Sequence, residues 1–80
     1  MIIFKFDDHL KHTHFLNMDH VAHVGFYPTG TGKVDGEPNK TDMLRFFAID
    51  GEVMLFMQDK DARRVRDELE IFFRENKVMR

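Results

Sequence analysis

The sequence predicts a small α+β fold: an antiparallel β-meander of about four strands, with one C-terminal amphipathic helix packed on one sheet face. Three observations predict it. Short runs near the start alternate side chains with a period of two, the pattern of half-buried strands. Two apolar runs within 43–58 flank Asp50-Gly51, a dipeptide suited to a two-residue hairpin turn because glycine accepts positive φ. From about residue 60 the apolar spacing lengthens to that of a helix. A chain of 80 residues has room for one domain, read here as 1–80.

The elements follow in order. In 2–6, Ile2, Phe4 and Phe6 share one strand face, and Ile3 and Lys5 the other. Asp7-Asp8 reads as a turn, and 12–16 as a second extended stretch. Asn17-Met18-Asp19 reads as a corner, since Asn and Asp bond their own backbone. In 21–27, Ala22, Val24 and Phe26 line one face; Val21, His23, Gly25 and Tyr27 line the other. Segment 28–42 holds both prolines together with Gly30, Gly32 and Gly36, and reads as a long flexible loop.

The hairpin in 43–58 is the strongest strand signal. With a two-residue loop, Ala48 faces Val53, Phe46 faces Leu55 and Leu44 faces Met57. The opposite face pairs Ile49 with Glu52, Phe47 with Met54 and Arg45 with Phe56. Asp59 or Asp61 can cap the helix that follows. Ala62, Val65, Leu69 and Phe72 form its apolar stripe. Arg63–Asp67, Arg64–Glu68, Arg66–Glu70 and Glu70–Arg74 are i,i+4 partners on the solvated side.

Composition narrows the function. The chain has no cysteine, so disulfides and thiolate chemistry are excluded, and a reducing, cytoplasmic setting is the expectation. No run approaches the roughly 20 apolar residues of a membrane span. The stretch from Met1 to Asp8 lacks a basic region followed by an apolar block, so no leader is expected there. Net charge is −2, without the basic excess that phosphate backbones favour. Nine Phe and six Met with one Tyr and no Trp suit a tight core or an adaptable contact surface.

Two segments resemble a known family. His14-Phe15-Leu16-Asn17-Met18-Asp19-His20-Val21 resembles the aromatic–Leu–Asn–x–x–x–apolar corner of small FlbD-type bacterial proteins, which are found with flagellar genes. Asp50-Gly51, its flanking strands and the helix behind them resemble the second half of that pattern. The chain departs from it in the 28–42 segment and in a longer, more charged final helix. The resemblance implies a regulatory or interaction role without enzyme activity, and no functional residue is carried over.

All five histidines lie within 9–23, and His12 and His14 have the i,i+2 spacing of two metal ligands on a strand face. The competing reading is a pair of half-exposed strand residues. Thr29-Gly30-Thr31-Gly32-Lys33 lacks the spacing, the Ser or Thr and the following helix of a phosphate loop. Asp7, Asp8 and His9 offer acid–base groups, but serine is absent from the chain, which rules out a serine triad. No enzyme activity and no cofactor are expected.

Counting faces leads to a partner. One helix covers one sheet face and leaves Met43, Arg45, Phe47, Ile49, Met54 and Phe56 as a contact surface for the N-terminal strands or, preferably, for another chain. The expected function is a small non-catalytic interaction module, a regulator, adaptor or inhibitor that binds another protein or its own copy as a homodimer. The alternatives are a His-rich metal-binding or sensing module and a nucleic-acid-binding regulator, the latter opposed by the charge balance. The Lys77-Val78-Met79-Arg80 tail and segment 28–42 are further contact candidates.

Overall fold

The computed structural model describes residues 2–76. In chain order it has β1 (Ile3–Asp7), β2 (Thr13–Asn17), a single 3-10 turn (Met18–His20) and β3 (Val21–Tyr27). Then come β4 (Lys33–Val34), β5 (Glu37–Pro38), β6 (Met43–Ala48), β7 (Val53–Gln58) and α1 (Asp59–Asn76). The class is the expected α+β, with the helix on one sheet face. The strands, however, number seven among the described residues and form three antiparallel sheets: β1–β2, β3–β6–β7 and β4–β5. The expected single meander is therefore divided. The contacts expected of the Lys77-Val78-Met79-Arg80 tail lie outside the described residues.

The inner layer follows from the periodicities. Phe4 and Phe6 point inward from β1, Leu44 and Phe46 from β6, and Met57 from β7. Ala62, Val65 and Leu69 meet them from α1, the stripe expected for a helix with a period of 3.6. Val24 and Phe26 of β3 pack on the same cluster. The N-terminal hairpin thus shares the helix side of the three-stranded sheet. Arg66 lays its guanidinium 4.3 Å over the Phe26 ring, a cation–π contact that closes the core at its edge. Of the expected helix pairs, Arg64–Glu68 forms at 3.4 Å. Arg63 turns instead to Asp42 at 2.9 Å and Asp59 at 3.3 Å, tying the helix start to the approach of β6.

Two β-bulges revise the expected faces. Val21 pairs with Ala48 and His23 with Phe47, so Ala22 is an extra residue in β3. An inserted residue reverses the alternation behind it, and Val21 joins the core instead of sharing a face with His23. In β7, Phe46 pairs with Leu55 but Phe47 pairs with Val53, which leaves Met54 as the extra residue. Val53 consequently faces outward beside Phe47, not inward opposite Ala48.

The turns exchange roles. Gly51 N–H donates to Ala48 O at 2.9 Å and Ala48 N–H to Glu52 O at 2.8 Å. The loop is therefore Ile49-Asp50-Gly51, and of these only Gly51 has positive φ, at 91°. That is the three-residue hairpin loop, a tight turn followed by a left-handed glycine. The two-residue turn lies in segment 28–42, where Asp35 (φ 52°) and Gly36 (φ 83°) join β4 to β5. Positive φ at both central residues is the Asp-Gly geometry that matches strand twist.

Segment 28–42 is organised around Asn39, which is 3% exposed. Its Oδ1 accepts from Gly32 N–H at 2.7 Å. Its Nδ2 donates to Tyr27 O and Pro28 O at 3.1 Å each and to Thr41 O at 2.7 Å. Backbone bonds Gly30 N–H to Asn39 O (2.9 Å) and Asn39 N–H to Gly32 O (3.1 Å) complete the clasp. A carboxamide can serve a donor and several carbonyls at once, which is why an asparagine can organise a segment rich in turns.

Candidate functional site

The outer face of β3–β6–β7 is built from residues that alternate away from the core. Three cross-strand rows lie on it: His23–Phe47–Val53, Gly25–Arg45–Phe56 and Tyr27–Met43–Gln58. The absence of a side chain at Gly25 lets Tyr27 fold back over it; a Cβ there would lie 2.7 Å from Tyr27 Cζ. Arg45 then sits between two rings, 5.4 Å from the Tyr27 centroid and 5.7 Å from Phe56. Its Nη2 donates to Lys33 O at 2.9 Å, so the β4–β5 ribbon orients the guanidinium. His23 and Phe47 meet at 5.3 Å between ring centroids.

Of the six residues expected to form the contact surface, five lie at this surface. Ile49 is 76% exposed, Phe56 42% and Met54 39%, while Arg45 and Phe47 are half-buried. Met43 corrects the expectation. It is fully buried, packed beneath Gly32 and Tyr27, because the ribbon that Asn39 holds folds over that end of the sheet. Sequence reasoning missed Val53, which is 50% exposed and turned outward by the bulge at Met54. It also left Tyr27 and His23 out of the site, since alternation put them on a common face of β3 but not beside β6. Among the described residues, neither the helix nor the N-terminal hairpin lies on this face. A smaller apolar surface, Ile3 and Phe15, is exposed on the outside of β1–β2, where Lys5 Nζ stands 6.0 Å over the Phe15 ring.

The histidines gather differently. Asp8 is the centre for two of them: its carboxylate lies 3.0 Å from His14 Nε2 and 3.5 Å from His12 Nδ1. It also accepts from the backbone N–H groups of His12 and Leu10, each at 2.9 Å. The His14 hydrogen bond, then the bond from the His12 backbone, lower the Asp8 pKa to about 2. His9 Nδ1 approaches Asp61 at 2.7 Å and so joins the first hairpin to the helix start, where Arg64 also reaches Asp7 O. Burial opposes ionisation of Asp61, yet the bonds from His9 and Arg64 outweigh it and hold its carboxyl below the ordinary value. His12 and His14, the expected metal pair, thus converge on one carboxylate. Among the described residues, no group of three or more His, Cys, Asp or Glu side chains is arranged to hold a metal ion. No helix of the described residues is long and apolar enough to cross a membrane.

Set against known proteins, the chain matches no family model, no curated protein and no solved structure.

Proposed function

We propose that this chain is a non-catalytic protein-interaction module, a small regulator, adaptor or inhibitor that docks its open sheet face against another protein chain. Its own copy is the first candidate. One observation carries the reading: Ile49, Val53, Met54 and Phe56 are exposed at the β6–β7 hairpin, where Phe56 is one of two rings that hold Arg45 between them. Contiguous apolar exposure of that kind marks contact surfaces. Arginine and aromatic side chains are the groups most often found to carry binding energy at the centre of an interface. Two-fold homodimers are the commonest assemblies that seal such a face. The FlbD-type resemblance agrees in implying regulation without catalysis.

The test is mass in solution by sedimentation across a range of concentrations. The expected result is a species of twice the chain mass that Ile49→Lys and Phe56→Glu return to the monomer without unfolding it. If the native chain is monomeric at every concentration, self-association is excluded, and capture from the native cell with the same two variants as controls decides for a different partner. Equal capture by native chain and variants would remove the open face from consideration.

A second reading rests on the same rings. Tyr27, Phe47 and Phe56 beside Arg45 on an antiparallel sheet offer the stacking surface used for single-stranded nucleic acid. The net charge of −2 opposes it. A gel shift with a single-stranded oligonucleotide at low salt tests this reading, and absence of a shift ends it.

A further inference from the structure

A second surface lies at the edge of the sheet, and it accepts a different kind of partner. In the order β3–β6–β7, β7 is terminal, with no described strand on its outer side. Asp59 N–H donates to Asp42 O at 2.7 Å, next to the Met43–Gln58 pair. Hydrogen-bonded and non-hydrogen-bonded pairs alternate along an antiparallel ladder. Leu44–Met57 and Phe46–Leu55 are then the bonded pairs, and Phe56 and Gln58 turn their N–H groups away from β6. Natural edge strands are usually blunted by charge, proline or a bulge. Here Leu55-Phe56-Met57-Gln58 has neither charge nor proline, and the bulge lies before it, at Met54.

The edge opens into a groove of about 630 Å³ that runs between β7 and the N-terminal hairpin. Leu55, Phe56 and the edges of Phe6 and Met57 give it apolar lining, and His14, stacked on Phe6 at 5.0 Å, stands on the hairpin side. Three carboxylates, Asp8, Asp59 and Asp61, and one ammonium, Lys60, line the groove; Asp61 is held by His9 and Arg64 and Asp8 by His12 and His14. Asp59 is paired with Arg63 yet remains exposed at the mouth.

We infer that this groove is a strand-addition site: it takes an extended peptide segment of a partner protein, paired antiparallel to β7, with apolar side chains over Phe6 and Met57 and a lysine or arginine near Asp8 and Asp59. Main-chain bonds supply affinity in this mode, and alternate side-chain pockets supply specificity. The hairpin wall favours a lone segment over a second copy, because another sheet edge brings its own strands behind it and Phe6 and His14 occupy that side. The acidic lining selects the basic side chain. The groove meets the open face at Phe56, which lines both, but Ile49 is not part of it, so Ile49→Lys tests the open face alone and either reading can fail alone.

The probe is a fluorescein-labelled octapeptide of alternating valine and threonine ending in lysine, with two controls. One replaces the lysine with glutamate; the other is N-methylated at alternate backbone nitrogens. The lysine peptide is expected to bind saturably and to slow amide exchange of Phe56 and Gln58 in the full chain. N-methylation should weaken binding at least tenfold, and the glutamate peptide should bind several-fold more weakly. No binding at millimolar peptide, equal binding of the N-methylated peptide, or unprotected Phe56 and Gln58 amides would each overturn the inference. So would protection of those amides without peptide that vanishes on dilution, which would assign the edge to a second copy.

Discussion

Replacing Asn39 by alanine tests whether one side chain organises segment 28–42. The substitution removes the bond accepted from Gly32 N–H and the two Nδ2 hydrogens shared among three carbonyl oxygens. It leaves the Gly32 N–H without its acceptor on a buried residue, while the exposed Pro28 and its neighbours can recover water. A net hydrogen bond contributes about 1 kcal/mol, and a buried donor left unsatisfied costs about 1–3 kcal/mol. Because water and the remaining backbone bonds recover part of the loss, the expected destabilisation is about 2–4 kcal/mol. For a domain of this size that lowers Tm by roughly 10–30 °C. Thermal unfolding followed by circular dichroism, with urea titration for the free energy, measures it. Lys40→Ala, at the exposed neighbouring position, should stay within about 0.5 kcal/mol of the native chain. A loss below about 1 kcal/mol for Asn39→Ala would refute the clasp. Asn39→Asp adds a sign test. A carboxylate there would face three carbonyl oxygens, which raises its folded pKa above the unfolded value. The variant should therefore come closest to native stability below about pH 4 and fall behind as pH rises through that folded pKa.

Other consequences are more direct. Phe46→Ala, at a fully buried ring shared by sheet and helix, should cost about 3–5 kcal/mol. Ile71→Ala on the exposed helix side should cost less than about 0.5 kcal/mol by urea titration. Asp8→Asn should flatten the acid limb of the stability profile. The native carboxyl titrates near 2 when folded, below its ordinary 3.8. Its contribution is thus complete above the unfolded value and lost as pH falls toward 2, a loss the variant lacks. Unchanged acid unfolding in that variant would remove Asp8 from the account. Arg63→Ala should leave the urea-unfolding midpoint close to that of the native chain, because its pairs with Asp42 and Asp59 are half in solvent.

What the sequence determined alone is what depends on nearest neighbours along the chain. The helical stripe of Ala62, Val65 and Leu69 was legible, and the helix runs Asp59–Asn76 as that spacing requires. So were the inward pairs Leu44–Met57 and Phe46–Leu55, since strand alternation leaves them one face. The corner after β2 was legible too: Asn17 Oδ1 accepts from Asp19 N–H at 3.0 Å. The outward placement of Arg45, Phe47 and Phe56 followed from the same alternation, whereas Ile49 lies in the hairpin loop and Met54 at the bulge.

Tertiary structure alone decided the rest. Pairing β3 with β6 across segment 28–42 brought Tyr27 and His23 beside Arg45 and Phe47, and no local pattern encodes that choice. The bulges at Ala22 and Met54 reversed the alternation at Val21 and Val53, because an extra residue is tolerated only where neighbouring strands and core determine the register. Met43 left the surface because Asn39 fastened a ribbon over it. Periodicity and turn chemistry are local energies, readable from a few consecutive residues; strand order, bulges and a buried clasp are set by which distant groups must share the same dry space.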